Sequence, residues 1–234
     1  MKKIWGGLLL FILGPCGFSQ ELTGSELLGK AIAFHDPNKL WKSFKAEFQV
    51  TMETPKSSDR HSTIFLDNRT STFELEVSKD SDSYAYLLDK NGCNITLNGS
   101  ATISETDKEK FRLSCERANM YRDYYTYLYG LPMKLKDEGT LVDEKVERKI
   151  FNGKTYLVLK VTYSPEVGKD LWYFYFDPMT YAMQAYQFYH DEAKNDGEYI
   201  LLEGLETVGN IKMPKVRKWY YNKDDNYLGT DRLH

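Results

Sequence analysis

Along most of this chain the hydrophobic positions recur at every second residue. Phe44, Ala46, Phe48, Val50 and Met52 alternate with Lys45, Glu47, Gln49 and Thr51, which predicts a strand with one buried and one wet face. The same period predicts strands over 61–67, 72–78, 84–88 and 94–98, with Asn91-Gly92 as a turn between the last two. Three hairpins follow in the second half. Residues 146–151 and 155–163 flank Asn152-Gly153, 171–176 and 181–189 flank Asp177-Pro178, and 198–208 and 211–221 flank Gly209-Asn210. With hardly any helix to make parallel crossovers, about eleven strands predict an antiparallel meander. A sheet that wide curls, so the expected fold is mainly β (α+β): a curved sheet or unclosed half-barrel covered by two helices.

One stretch breaks the alternation. From Asp107 to Leu135 the period is helical. At about 100° per residue, Phe111, Ser114, Cys115, Ala118, Tyr121, Tyr125, Leu128 and Tyr129 share a face. Leu113, Met120, Tyr124 and Tyr127 form a second stripe nearly opposite. The non-polar arc spans roughly 240°, against the roughly 100° stripe of an ordinary surface helix. Such a helix needs apolar company on two sides: a sheet on one, and a second layer, partner or ligand on the other. Gly130 and Pro132 end it and form a candidate hinge. The other helix starts at Thr23 or Ser25, with Glu26 completing a capping box, and stops at Asp36-Pro37-Asn38.

The strand 171–176 is apolar on both faces, with Trp172, Phe174 and Phe176 on one and Tyr173 and Tyr175 on the other. An antiparallel sheet usually wets one face. Two covered faces fit a curved sheet with an apolar concave interior, or equally a sheet packed solidly on its own helices.

The first residues change the compartment. Lys2 and Lys3, the apolar run Ile4 to Leu13 and the small residues before Gln20 read as a signal peptide over residues 1–19, cut after Ser19, leaving 20–234 as a single domain in the periplasm. Leu13-Gly14-Pro15-Cys16 resembles a lipobox and offers a tether at Cys16, although proline before the cysteine departs from that pattern. Loss of Lys2 and Lys3 from 31 basic residues, against 34 acidic ones, leaves the mature chain near −5. The basic residues are interspersed with acids, so nucleic acid is not a partner. Export makes Cys93 and Cys115 a disulfide candidate; the alternative is two separate buried thiols.

Enzymatic signatures are missing. His35, His61, His190 and His234 have no metal-ligand spacing, and Asp80-Ser81-Asp82 lacks the rest of a calcium loop. There is no nucleophile elbow, phosphate loop or dinucleotide fingerprint. His35-Asp36 has the chemistry of a base and its orienter, but Pro37 makes capping the stronger reading. No catalytic residue, metal or cofactor is expected.

The strings Ala33-Phe34-His35-Asp36-Pro37, Tyr124 to Leu135, Phe176-Asp177-Pro178 and Gly209-Asn210-Ile211-Lys212-Met213-Pro214, on this strand pattern, resemble the periplasmic lipoprotein-carrier (LolA/LolB-like) superfamily. More narrowly they resemble a family of Gram-negative envelope proteins of unassigned function with that fold. The resemblance implies an unclosed barrel under helices, a cavity for the acyl chains of lipids or lipoproteins, and an outer-membrane acceptor protein as partner. The expected ligand-binding residues are Leu113, Met120, Tyr124 and Tyr127 of the helix and Trp172, Phe174 and Phe176 of the sheet, in a monomer. The competing expectation is an envelope interaction protein with a filled core and an exposed aromatic patch.

Overall fold

The computed structural model describes residues 22–234; the signal-peptide and Cys16 expectations lie outside them. Helix α1 (Gly24–His35) begins on a capping box in which Thr23 Oγ1 accepts the Glu26 amide at 3.2 Å and Glu26 Oε2 accepts the Thr23 amide at 2.9 Å. Its Leu27, Leu28 and Ala31 are buried. Asp36 then turns the chain, its two carboxylate oxygens accepting the amides of Leu40 and Trp41 at 2.8 and 2.9 Å.

Five strands follow: β1 (Lys45–Thr54), β2 (Ser57–Asp67), β3 (Thr72–Lys79), β4 (Asp82–Asp89) and β5 (Gly92–Leu97). Two helices, α2 (Glu105–Phe111) and α3 (Cys115–Gly130), lead to β6 (Thr140–Phe151), β7 (Lys154–Tyr163), β8 (Leu171–Phe176), β9 (Met183–Tyr189), β10 (Glu198–Val208), β11 (Ile211–Tyr221) and β12 (Tyr227–Leu233). All pair antiparallel in one sheet, ordered β5-β4-β3-β2-β1-β12-β11-β10-β9-β8-β7-β6. The sheet is unclosed, mainly β in class, with α3 over β4 and β5 and α1 on β6, β7 and β11.

Three details differ from the sequence expectation. The strands of the described residues number twelve, because β12 carries Gly229, Thr230 and Asp231 where alternation calls for apolar residues. They form two meanders joined at β1–β12 instead of one in chain order: the chain runs out to one edge, crosses through α2 and α3 to the other, and returns to the centre. The helix expected over 107–135 is broken, since Arg112 takes a left-handed conformation (φ 53°) and Ser114 starts α3 afresh, its Oγ accepting the Arg117 amide at 3.1 Å. The described residues thus hold three α-helices.

The concave face carries the main core. Phe48, Ile64, Phe73, Leu75, Phe174, Phe176 and Tyr186 line it and α3 presses Ala118, Tyr121, Tyr125, Leu128 and Tyr129 into it. On the convex face Tyr156, Tyr173 and Tyr175 cover one another with Phe151 and Ala185, so these aromatics are buried by mutual contact. Cys93 of β5 and Cys115 of α3 are joined by a disulfide, with their Cα atoms 5.9 Å apart.

Candidate functional site

The two stripes of α3 meet two different environments. The stripe of Tyr121, Tyr125 and Tyr129 is sealed against the first meander, where Tyr129 packs on Phe48 with centroids 4.8 Å apart. The other stripe faces an open cleft of about 890 Å³ between α3 and the second meander. Met120, Tyr124 and Tyr127 form its helical wall, Tyr163 of β7 and Trp172 of β8 the opposite one, and Trp41 with Leu66 one end. The volume lies within the range of about 300–1,000 Å³ usual for small-molecule sites.

Helical geometry explains the division. Tyr124 and Tyr125 are one residue apart and so point about 100° away from each other, their rings meeting edge to face at 5.3 Å. Tyr124 therefore leans toward the second meander and stacks on Trp219 of β11 at 6.5 Å. Tyr127 meets the edge of Trp172 at 5.6 Å, and Trp172 stacks on Phe188 of β9 at 4.8 Å. The end of α3 is held by close approach. Gly130 is buried where a Cβ would press into the indole of Trp41, so its glycine is explained by packing against that ring.

The wall is neutral. Burial pushes the phenols of Tyr124 and Tyr127 well above the ordinary tyrosine range and that of Tyr163 up to about 12. Tyr127 and Tyr163 hydroxyls bond to each other at 2.5 Å. Charged residues line the rest of the cleft, the acids Asp67, Asp123, Asp137, Glu138 and Asp170 against the bases Lys42, Arg122 and Lys134, with Arg122 paired to Asp123, Lys134 to Asp137, and Asp170 to His190 at 2.8 Å. Such a cleft can hold an apolar chain.

Of the residues expected from sequence, Met120, Tyr124, Tyr127 and Trp172 line the cleft. Phe174 and Phe176 are wholly buried in the core behind it, and Leu113 is buried in the break between α2 and α3, so these three lie off its lining. Tyr163 and Trp41 were missed. Tyr163 keeps phase with Leu157, Leu159 and Val161, which is the signal that places it on the concave face.

His35 sits elsewhere. It is fully buried, its Nδ1 donating to Lys212 O at 2.7 Å and its Nε2 accepting the Met183 amide at 3.0 Å. Burial lowers its pKa to about 4, so the neutral imidazole is a fixed strut between α1, β9 and β11. Among the described residues no group of three or more His, Cys, Asp or Glu side chains is placed to hold a metal ion, and no helix is long and apolar enough to cross a membrane.

Two solved structures share this arrangement. A LolA superfamily protein from Nitrosomonas europaea superimposes with a TM-score of 0.52 at 10% identity, over 91% of this chain and 92% of that one. A DUF1329 family protein from Desulfovibrio piger does so with a TM-score of 0.53 at 8% identity, over 90% and 91%. No curated protein matches the chain by sequence. The fold is that of the LolA superfamily, and the chain, matched over residues 2–233, belongs to the family described as "Family of unknown function (DUF6503)".

Proposed function

We propose that the protein is an exported, non-enzymatic carrier that binds the acyl chain of a lipid or lipoprotein in the cleft between α3 and the second meander. The observation that carries this reading is the second stripe of α3: Met120, Tyr124 and Tyr127 face an open, aromatic-walled cleft of about 890 Å³ where a solid-core protein would place packed side chains. An acyl chain entering it gains about 0.8 kcal/mol per CH₂ removed from water. The amino-terminal sequence supports delivery to the periplasm, and the LolA-type fold supports handover of cargo to an acceptor at the outer membrane. A filled-core interaction protein fits less well, because the space beside the second stripe of α3 is open.

Native mass spectrometry of the mature protein, purified gently from its own envelope and followed by extraction, tests the reading. A lipid or acylated peptide bound at one per chain is the expected result. A clean apo mass, with no uptake of added fatty acid or phospholipid, would overturn it.

A further inference from the structure

The concave face holds charge that the acyl-carrier reading does not use. Arg60 of β2, Asp231 of β12 and Arg217 of β11 lie in one lateral row, because Met52 of β1 pairs with both Arg60 and Asp231 and Arg217 pairs with Asp231. Arg217 is wholly buried. Its Nη1 donates to Pro214 O at 3.1 Å, its Nη2 to Leu128 O in the last turn of α3 at 3.2 Å, and its guanidinium lies over the Tyr129 ring at 4.0 Å. Arg60, half-buried, donates from Nη2 to the Tyr125 hydroxyl at 3.2 Å.

Neither arginine is ion-paired. The arginine salt bridges among the described residues are those of Arg69, Arg122 and Arg232. Asp231 instead accepts a bond from Trp219 Nε1 at 3.3 Å. Two guanidinium groups thus share one carboxylate that contacts neither. Four buried polar atoms of this cluster lack a partner: Nε of Arg60, Nε of Arg217 and the hydroxyls of Tyr129 and Tyr186. A buried charge is normally paired, since its desolvation otherwise costs several kcal/mol. Capping α3 through Leu128 O and stacking on Tyr129 offset part of that cost for Arg217 and leave its net charge unmatched.

We propose that this cluster is the seat of an anionic headgroup, a carboxylate or phosphate monoester, carried by the same amphiphile whose chain occupies the cleft. The inference rests on the acyl-carrier reading and names the class of ligand. The cluster is one aromatic layer behind the cleft: Tyr186 lies 6.2 Å from Trp172 and 6.3 Å from Trp219, which stacks on Tyr124. The headgroup enters between Tyr124 and Trp219, with the chain trailing out along Met120 and Tyr127. The unpartnered Nε–H of Arg217 and hydroxyls of Tyr129 and Tyr186 then donate to its oxygens.

Calorimetric titration of the mature protein with palmitate, hexadecyl phosphate and hexadecanol tests this. One or both anions should bind about tenfold or more tightly than the alcohol of equal chain length, the better anion identifying the headgroup. Tyr186→Phe and Arg60→Met should shrink that preference, and Arg217→Met should abolish it if the variant folds. Equal affinity for all three amphiphiles overturns the headgroup site and leaves the acyl cleft standing. Binding of none of them overturns both.

Discussion

The hydroxyls of Tyr127 on α3 and Tyr163 at the end of β7 bond to each other at 2.5 Å, spanning the cleft that separates the helix from the second meander. Both rings belong to opposite walls, so the bond acts as a clasp. Widening the cleft for a chain to enter requires it to break. Replacing both tyrosines by phenylalanine removes donor and acceptor together, which costs little stability because no buried hydroxyl is left unpaired. The double variant should keep its unfolding midpoint nearly unchanged while taking up a fluorescent fatty acid faster in stopped-flow mixing. Unchanged uptake would show that this contact does not gate the cleft.

Met120 gives the cleaner test of where the chain lies. It is 41% exposed on the cleft wall, so Met120→Asp should alter stability by only about 0.5 kcal/mol. A carboxylate there places a strongly hydrated group against the ligand, and palmitate affinity should fall about tenfold. Native affinity in the variant would move the ligand away from α3.

His35 predicts a pH dependence. Its folded pKa is about 4, depressed first by burial, against 6.5 for the free side chain. On acidification the unfolded chain therefore takes up the proton first. The stability this neutral imidazole supplies is complete above pH about 6.5, drains away as pH falls, and is lost by about pH 4, to a total of about 3 kcal/mol. His35→Gln should lower stability at neutral pH and flatten the slope of stability against pH between those limits. Parallel slopes for the two proteins, read from urea unfolding, would assign the acid sensitivity to other groups.

Much of this architecture was legible because the sheet obeys alternation where it buries apolar side chains. The two-faced character of α3 was legible for the same reason: Tyr124 and Tyr127 fall outside the stripe of Tyr121 and Tyr125, and the structure gives each stripe its own neighbour. The break at Arg112 was not, because no glycine or proline marks it and an arginine holds the left-handed position. β12 escaped for a different reason. Its inward residue Asp231 is charged, and alternation assigns charge to the wet face. Arg217 was hidden the same way, although it keeps phase with Ile211 and Met213, both fully buried. What sequence periodicity misreads here is the polar set beneath α3, Arg217 and Asp231.

The disulfide fixes how α3 moves. Cys115 opens the helix and Cys93 lies on β5, the edge strand of the first meander, 22 residues earlier. The bridge therefore holds a strand that has a neighbour on only one side and pins the start of the helix to it. With that end tethered and the other packed against Trp41 through Gly130, cleft opening has to proceed on the β7–β8 side, where the tyrosine clasp is. Closing a loop of this length restricts the unfolded chain by about 3 kcal/mol. Cys93→Ser with Cys115→Ser should thus lower the thermal midpoint on the order of 10 °C, and reducing agent should do the same to the native protein and nothing to the variant. The variant should also exchange bound fatty acid faster, because the start of α3 is then free to swing. An unchanged midpoint would mean that packing alone docks β5, and unchanged exchange would mean that the helix start is not the pivot.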